Sequence, residues 1–342
     1  ADGIGKSVSA AGDFNGDGLD DVIIGDQYAT NGNGEESAGK SYIVFGKAST
    51  NAIEISSLLP NGYGAVIHGA DAGDSSGKSV SAAGDVNGDG YDDVIISANG
   101  ADPNGDWSGS TYVVFGTDEF LDIDLSDTES GMDNSGFVIN GVDAGDSIGD
   151  SVAAGDINGD GLDDVIIGAV EAAPNGEYSG STYVVFGTSD IANIELSDIE
   201  SGTGGFVING ADADDSSGYS VSAAGDVNGD NIPDLIIGAQ AADPNGSGSG
   251  ASYIVLGADT ISSSTDWSLG DIINNVTLSG SNNINATGNS NDNTLTGNAG
   301  NNILDGGAGD DTMSGGDGDD TYVVDSTSDT VTENSSEGTD LI

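Results

Sequence analysis

Asp13, Asn15, Asp17 and Asp21 crowd into nine positions of the stretch DFNGDGLDDVIIG. The same oxygen-bearing set returns as Asp85, Asn87, Asp89 and Asp93, as Asp156, Asn158, Asp160 and Asp164, and as Asp226, Asn228, Asp230 and Asp234. The leading aspartates stand 72, 71 and 70 residues apart. Each loop reads D-x-N-x-D-G-x-x-D, with a glycine at position 6 for the sharp reversal and a backbone carbonyl on offer at position 7, from Leu19, Tyr91, Leu162 or Ile232. A hard cation takes six to eight oxygens at roughly 2.3–2.6 Å in a forgiving geometry, which describes Ca2+ better than Mg2+. Without a cation the carboxylates would repel one another, raise their own pKa values and splay the loop.

Turn chemistry alone explains one such loop, because Asn-Gly and Asp-Gly form tight hairpins unaided. Four loops agreeing at all four side-chain positions favour metal. The fourth has Asn231 in place of the glycine and Pro233 in place of an extra aspartate, so its site is expected to be weaker. At position 8, Asp20, Asp92 and Asp163 are expected to face solvent or to stand behind the ligands rather than among them, since adjacent strand residues point to opposite sides. Position 12 is Ile24, Ile96, Ile167 or Ile237, where an EF-hand needs glutamate.

The elements that must hold these loops are short strands. The runs SVSAAG, DVIIS, TYVVFG and GFVING of the second unit recur with small changes in the others, bounded by Gly, Asn, Asp and Pro clusters, and helical periodicity is nearly absent. Four strands per unit cannot cover both faces of their own sheet, so the units are expected to stack as blades do around a propeller axis. The unbroken VII of the second strand suits burial on both faces. The third unit has one residue fewer before its loop, SVAAGD against SVSAAGD, which predicts a bulge in the other units that this one lacks.

From about residue 258 the pattern changes, and a polar stretch leads into a period of nine that opens at 288: GNSNDNTLT, GNAGNNILD, GGAGDDTMS and GGDGDDTYV. Gly first, Asn or Asp sixth and an apolar residue eighth is the register of a parallel β-roll. The organisation read from the sequence is therefore all-β. Four blades occupy 1–257, at about 1–72, 73–143, 144–213 and 214–257. A linker with a final strand follows at 258–287, then a nonapeptide roll at 288–325 and an extension at 326–342.

With loop, VIIG strand and VFG strand in hand, the units resemble FG-GAP repeats, the β-propeller blades of integrin α-subunits and their bacterial relatives. The FG half stands as Phe45-Gly46, Phe115-Gly116 and Phe186-Gly187, with Leu256-Gly257 in the last unit, while the GAP half has drifted to GDQ, SAN, GAV and GAQ. The resemblance implies Ca2+ in the four loops on one rim. The nonads resemble RTX, or hemolysin-type, calcium-binding repeats, and that resemblance places ligands at Asp311 and Asp320, with Asn293 and Asn302 where the earlier nonads would carry Asp. It further implies secretion, typically by a type I exporter, into millimolar calcium.

Composition narrows the partners. Fifty-nine acidic residues against four lysines and no arginine give a formal charge of −55, which argues against nucleic acid or an anionic membrane. Cysteine is absent, so disulfides and thiolate sites are excluded. No stretch approaches eighteen consecutive apolar residues, so membrane insertion is not expected. The chain starts beside a repeat junction and is expected to be part of something larger. His68 is the one histidine, and the matching positions in the next units are Asn140 and Asn209, which marks it as a strand-end polar residue rather than a catalytic base. The expectation is a non-enzymatic, calcium-stabilised extracellular protein with structural or adhesive work. It would bind a cell-surface glycan or protein and associate with itself head to tail. The alternative is a carbohydrate- or protein-binding module of a larger secreted enzyme, for which Tyr28, Trp107 and Tyr178 in the loops after the second strand would supply the contacts.

Overall fold

The structure is a computed structural model. It describes residues 3–49, 51–118, 122–131, 135–189, 192–201, 203–229, 232–257, 260–263, 267–268, 275–278, 280–288, 292–333 and 338–341. The chain divides into two compact units, one holding the blades up to Leu256 and one running from Gly257, which also takes in Asn158–Asp160 and Ser201–Gly205.

In the first unit the β-branched runs form antiparallel sheets in sequence order. Blade 1 contains β1 (Ser7–Gly12), β2 (Asp21–Asp26), β3 (Lys40–Val44) and β4 (Gly64–His68). Blade 2 contains β5 (Val80–Gly84), β6 (Asp93–Ala98) and β7 (Ser110–Val114), then, after the short β8 (Asp122–Asp124), β9 (Gly136–Asn140). Blade 3 contains β10 (Ser151–Gly155), β11 (Asp164–Ala169) and β12 (Ser181–Val185), then, after β13 (Ile194–Glu195), β14 (Gly205–Asn209). Among the described residues, blade 4 contains three strands, β15 (Ser217–Gly225), β16 (Asp234–Ala239) and β17 (Ala251–Val255).

Two features go beyond the sequence reading. β8 and β13 leave their own blades and pair in parallel with the outer strand of the blade before, β4 and β9 respectively. Short helices at Leu58–Asn61, Leu125–Glu129 and Leu196–Glu200 precede the outer strands. At four or five residues they are too short to leave a helical period, although Asp124 caps one by accepting the Ser126 N–H.

The expected bulge is present. The first-to-second strand register shifts between Ala10 and Gly12, between Ala82 and Gly84, and between Ala223 and Gly225, whereas β10 and β11 pair without a break. Burial of the second strand on both faces holds for the inner blades, where every residue of β6 and β11 is buried. It fails in the outer blades, where Val22 and Ile236 are 44% and 37% exposed because one sheet face lacks a neighbour. The core is therefore built between blades: Ile43 and Ile67 of the first cluster with Val94, Tyr112 and Val138 of the second.

The second unit is a roll of two parallel sheets. One takes Thr260–Ser263, Asn275–Leu278, Thr294–Thr296, Thr312–Ser314 and Thr330–Val331 in order, the other Trp267–Ser268, Ala286–Thr287, Ile303–Asp305 and Thr321–Val323. Partners such as Thr294, Thr312 and Thr330 lie eighteen residues apart, so two nonads make one turn. Leu295, Leu304, Met313 and Tyr322 each bury one side chain per strand. The roll extends into both segments that the nonad pattern left out, 258–287 and 326–342.

Candidate metal centres

The four acidic loops join first to second strand in each blade, and their backbone N–H groups turn inward onto the side-chain oxygens. In the first loop Asp13 Oδ2 accepts from Gly18 N–H at 2.8 Å, Asn15 Oδ1 from Asp17 N–H at 2.9 Å, and Asp17 Oδ1 from Leu19 N–H at 2.9 Å. The second repeats this: Asp85 Oδ2 accepts from Gly90 at 2.9 Å, Asn87 Oδ1 from Asp89 at 2.8 Å, and Asp89 Oδ1 from Tyr91 at 2.9 Å. In the third, Asp156 Oδ2 accepts from Gly161 at 3.0 Å and Asn158 Oδ1 from Asp160 at 2.9 Å, with Leu162 next in line. In the fourth, Asp226 Oδ1 accepts from Gly229 at 2.5 Å, Asp226 and Asn228 are exposed, Ile232 follows, and Asp230 lies outside the described residues.

The ninth position opens the second strand, where the chain enters the core. Asp21, Asp93, Asp164 and Asp234 are all buried, at 1%, 0%, 0% and 0% exposed. Asp21, Asp93 and Asp164 accept the N–H of the FG glycine, from Gly46 at 2.7 Å, Gly116 at 2.9 Å and Gly187 at 3.0 Å. The FG motif is thus the seat of the last loop carboxylate, a role that the sequence reading did not assign to it. Asp93, Asp164 and Asp234 also accept the N–H of the loop's second residue, Val86, Ile157 and Val227. Burial, reinforced by Asp17 and Asp13, raises the Asp21 carboxyl to about 6. Burial, reinforced by Asp89 and Asp85, raises Asp93 to about 8.

These donors fit a hard divalent cation. They are oxygens throughout, with no thiolate or imidazole to favour a softer ion. Asp13 Oδ1 and Asp21 Oδ2 are buried without a hydrogen-bond partner, although a buried carboxylate oxygen ordinarily finds one. A cation would satisfy both.

In the roll, Asp311 and Asp320 stand on two eighteen-residue ladders. Asp311 Oδ1 accepts the Asn293 N–H at 2.8 Å, and the Asp311 N–H in turn donates to Asp329 Oδ1 at 3.0 Å. Asp320 Oδ1 accepts from Asn302 at 2.7 Å, and the Asp320 N–H donates to Asp340 Oδ1 at 2.9 Å. Asp311 Oδ2 is buried without a partner, and burial raises its carboxyl above the usual range. Carboxylate oxygens of Asp320, Glu333 and Asp340 lie within 4.8 Å of one another. Glu333 and Asp340 were not singled out in the sequence, because two extra residues in the last turn break the period of eighteen. Asp329 keeps that period, and DTVT beside it matches DTMS at 311–314.

His68 ends β4 with Nε2 2.8 Å from Asp122 Oδ1 of β8, a cross-blade pair consistent with a strand-end role. Lys78, at a position where the next blade has Asp150, bonds that aspartate at 2.9 Å across the blade boundary. Trp107 and Tyr178 are 57% and 44% exposed and sit at φ +60° and +55°.

Comparison with known proteins agrees with this geometry. The FG-GAP repeat family matches at 5–44, 76–114, 148–185 and 217–255, and the RTX calcium-binding nonapeptide repeat matches 287–322. Integrin alpha pat-2 of Caenorhabditis briggsae is 29% identical over 246 residues, which is 68% of this chain and 17% of the integrin. Phosphatidylinositol-glycan-specific phospholipase D of Bos taurus is 33% identical over 159 residues, 45% of this chain and 17% of that enzyme. The chain thus spans about a sixth of the length of these relatives. Four acidic loops, three of them with an FG glycine seated on the last carboxylate, and a roll of nonapeptide turns agree with these matches: the chain carries four FG-GAP repeats followed in sequence by RTX calcium-binding nonapeptide repeats.

Proposed function

We propose that this chain is a calcium-stabilised structural or adhesive module that works outside the cell and does no chemistry of its own. The observation that carries the reading is the set of buried carboxylate oxygens without partners, Asp13 Oδ1 and Asp21 Oδ2 in a blade loop and Asp311 Oδ2 in the roll. Such oxygens are costly unless paired, and Asp13, Asn15, Asp17, Asp21 and the Leu19 carbonyl would hold Ca2+ in the first loop, with the matching residues in the others. FG-GAP and RTX repeats are structural or binding modules, and RTX repeats accompany secretion, so export through a type I system into a calcium-rich medium belongs to the same reading. Thermal melts with calcium and with a chelator test it: a large chelator-induced loss of stability is expected, and equal stability in both would overturn it.

Self-association is the adhesive part of the proposal. Val80, Val152 and Val221 are 5%, 7% and 8% exposed, each beneath the blade before, whereas the equivalent Val8 is 64% exposed. At the other end of the array, Tyr253, Ile254 and Leu256 of blade 4 are 42%, 56% and 55% exposed. These two faces continue the interface already formed between inner blades, and a second copy docking on them head to tail would extend it. Sedimentation in calcium is expected to show concentration-dependent association, and a strict monomer at high concentration would refute it.

A second reading, a glycan- or protein-binding module of a larger secreted enzyme, is favoured by the phospholipase D relative and by the two exposed aromatics held at positive φ. Glycan-array binding lost in Trp107→Ala would support it, and its absence from the calcium-loaded protein would remove it.

A further inference from the structure

We propose that Asp92 and Asp163 are positioning residues that couple calcium binding in one blade to calcium binding in the next. The proposal rests on the reading of the acidic loops as calcium sites. Asp92 Oδ2, from the second loop, accepts the N–H of Asp13, the leading residue of the first loop, at 2.7 Å. One blade on, Asp163 Oδ2 accepts the N–H of Asp85 at 3.2 Å.

The contact is built rather than incidental. Gly12 and Gly84 precede the two leading aspartates at φ +61° and +64°, and a Cβ on either would lie 2.2 Å or 1.9 Å from the incoming carboxylate oxygen. The Thr117 N–H donates to Phe14 O at 2.8 Å and the Thr188 N–H to Val86 O at 2.9 Å, so the next blade also holds the second residue of each loop. The Tyr91 ring lies against Gly16, where a Cβ would be 2.5 Å away.

Asp92 is bonded in the chain to Asp93, the last carboxylate of its own loop, which sits fixed in the core. Calcium in the second loop orders the turn from Asp85 to Tyr91 against that fixed point, and so sets where Asp92, between the two, presents its carboxylate. That carboxylate in turn sets the backbone at Asp13, the first ligand of the loop before. Loading either loop therefore prepays part of the ordering of the other, and linkage makes the effect reciprocal. The third and fourth blades carry a natural control. Pro233 stands where the aspartate would be, and Gly155 faces the Ala223 methyl, 3.1 Å from a built Cβ, instead of a carboxylate.

The test is a double-mutant cycle on the full chain, titrated with calcium alone. The Gly18 amide resonance reports loop 1, because that N–H is held by Asp13, and the Gly161 amide reports loop 3 through Asp156. Removing a ligand from the second loop with Asp89→Ala is expected to weaken loop 1 by about fivefold or more, the usual lower range of site coupling. In an Asp92→Ala background the same removal is expected to leave loop 1 unchanged. Asp92→Asn, which keeps an acceptor oxygen, is expected to restore most of the coupling. Asp226→Ala in the fourth loop is expected to leave loop 3 unchanged, a measurement that needs no change at Asp92. Equal weakening with and without Asp92, or weakening of loop 3 by Asp226→Ala to match that of loop 1, overturns the coupling but leaves calcium binding intact. A Gly18 resonance that never responds to calcium overturns both.

Discussion

Replacing Asp93 by asparagine should change the stability of this protein in opposite directions with and without calcium. The carboxyl is fully buried, and burial lifts it from 3.8 to about 8. In chelated protein at pH 7, folding therefore obliges Asp93 to take up a proton it would not otherwise hold. At about 1.4 kcal/mol per pH unit, that costs about 4 kcal/mol. The sign follows from the raised value: the contribution is complete below pH 4 and is lost as pH climbs through 8.

Asparagine removes the titration and keeps an oxygen for the Gly116 N–H, but turns an amide donor toward the Val86 N–H that Oδ2 now accepts. Leaving that donor unmatched costs about 1–3 kcal/mol, so Asp93→Asn should stabilise the chelated protein at pH 7 by about 1–3 kcal/mol. With calcium the same change deletes a charged ligand and should destabilise. Urea unfolding of both proteins at pH 5 and pH 7, in EDTA and in millimolar calcium, measures all terms. Destabilisation by Asp93→Asn in EDTA at pH 7, or wild-type stability in EDTA that rises between pH 5 and pH 7, would refute the reasoning.

Other consequences are equally open to measurement. Ile95→Ala, in a fully buried strand between two blades, should cost about 2–5 kcal/mol, while Ile236→Ala at the equivalent exposed place in blade 4 should cost about 1 kcal/mol or less; urea unfolding at fixed calcium separates them. Gly84→Ala should lower the melting temperature and weaken calcium binding in the second loop, because its φ of +64° and the Asp163 carboxylate leave no room for a methyl, and calorimetry reads both effects. Trp107→Gly should stabilise the calcium-loaded protein by up to about 1 kcal/mol by relieving a left-handed backbone, and an equal loss instead would show that the ring packs in place. Asp311→Asn should lower calcium uptake by the roll and leave the blade loops unchanged, as seen by site-resolved titration.

The loops were legible because the chemistry is local: five ligand positions lie within nine residues, and repetition separates them from ordinary turns. The bulge was legible for the same reason, as one residue missing before Asp156. What the sequence concealed depends on other segments. The FG glycines reach the loop carboxylates from 23 to 25 residues away, and Asp92 finds Asp13 across a blade boundary, so no nearby pattern marks either contact. β8 and β13 are three and two residues long, and their pairing with a different blade was hidden by the same distance. The roll's upstream turns at 260–287 were missed because few of their residues keep the nonad register, and Asp340 was missed because a two-residue insertion shifts it.

Anomalous scattering from crystals grown in millimolar calcium tests the central claim most directly. The account predicts calcium peaks within the loops at 13–21, 85–93 and 156–164, a weaker one at 226–234, and a further one beside Asp311. Blade loops without anomalous density, while the roll is occupied, would contradict it.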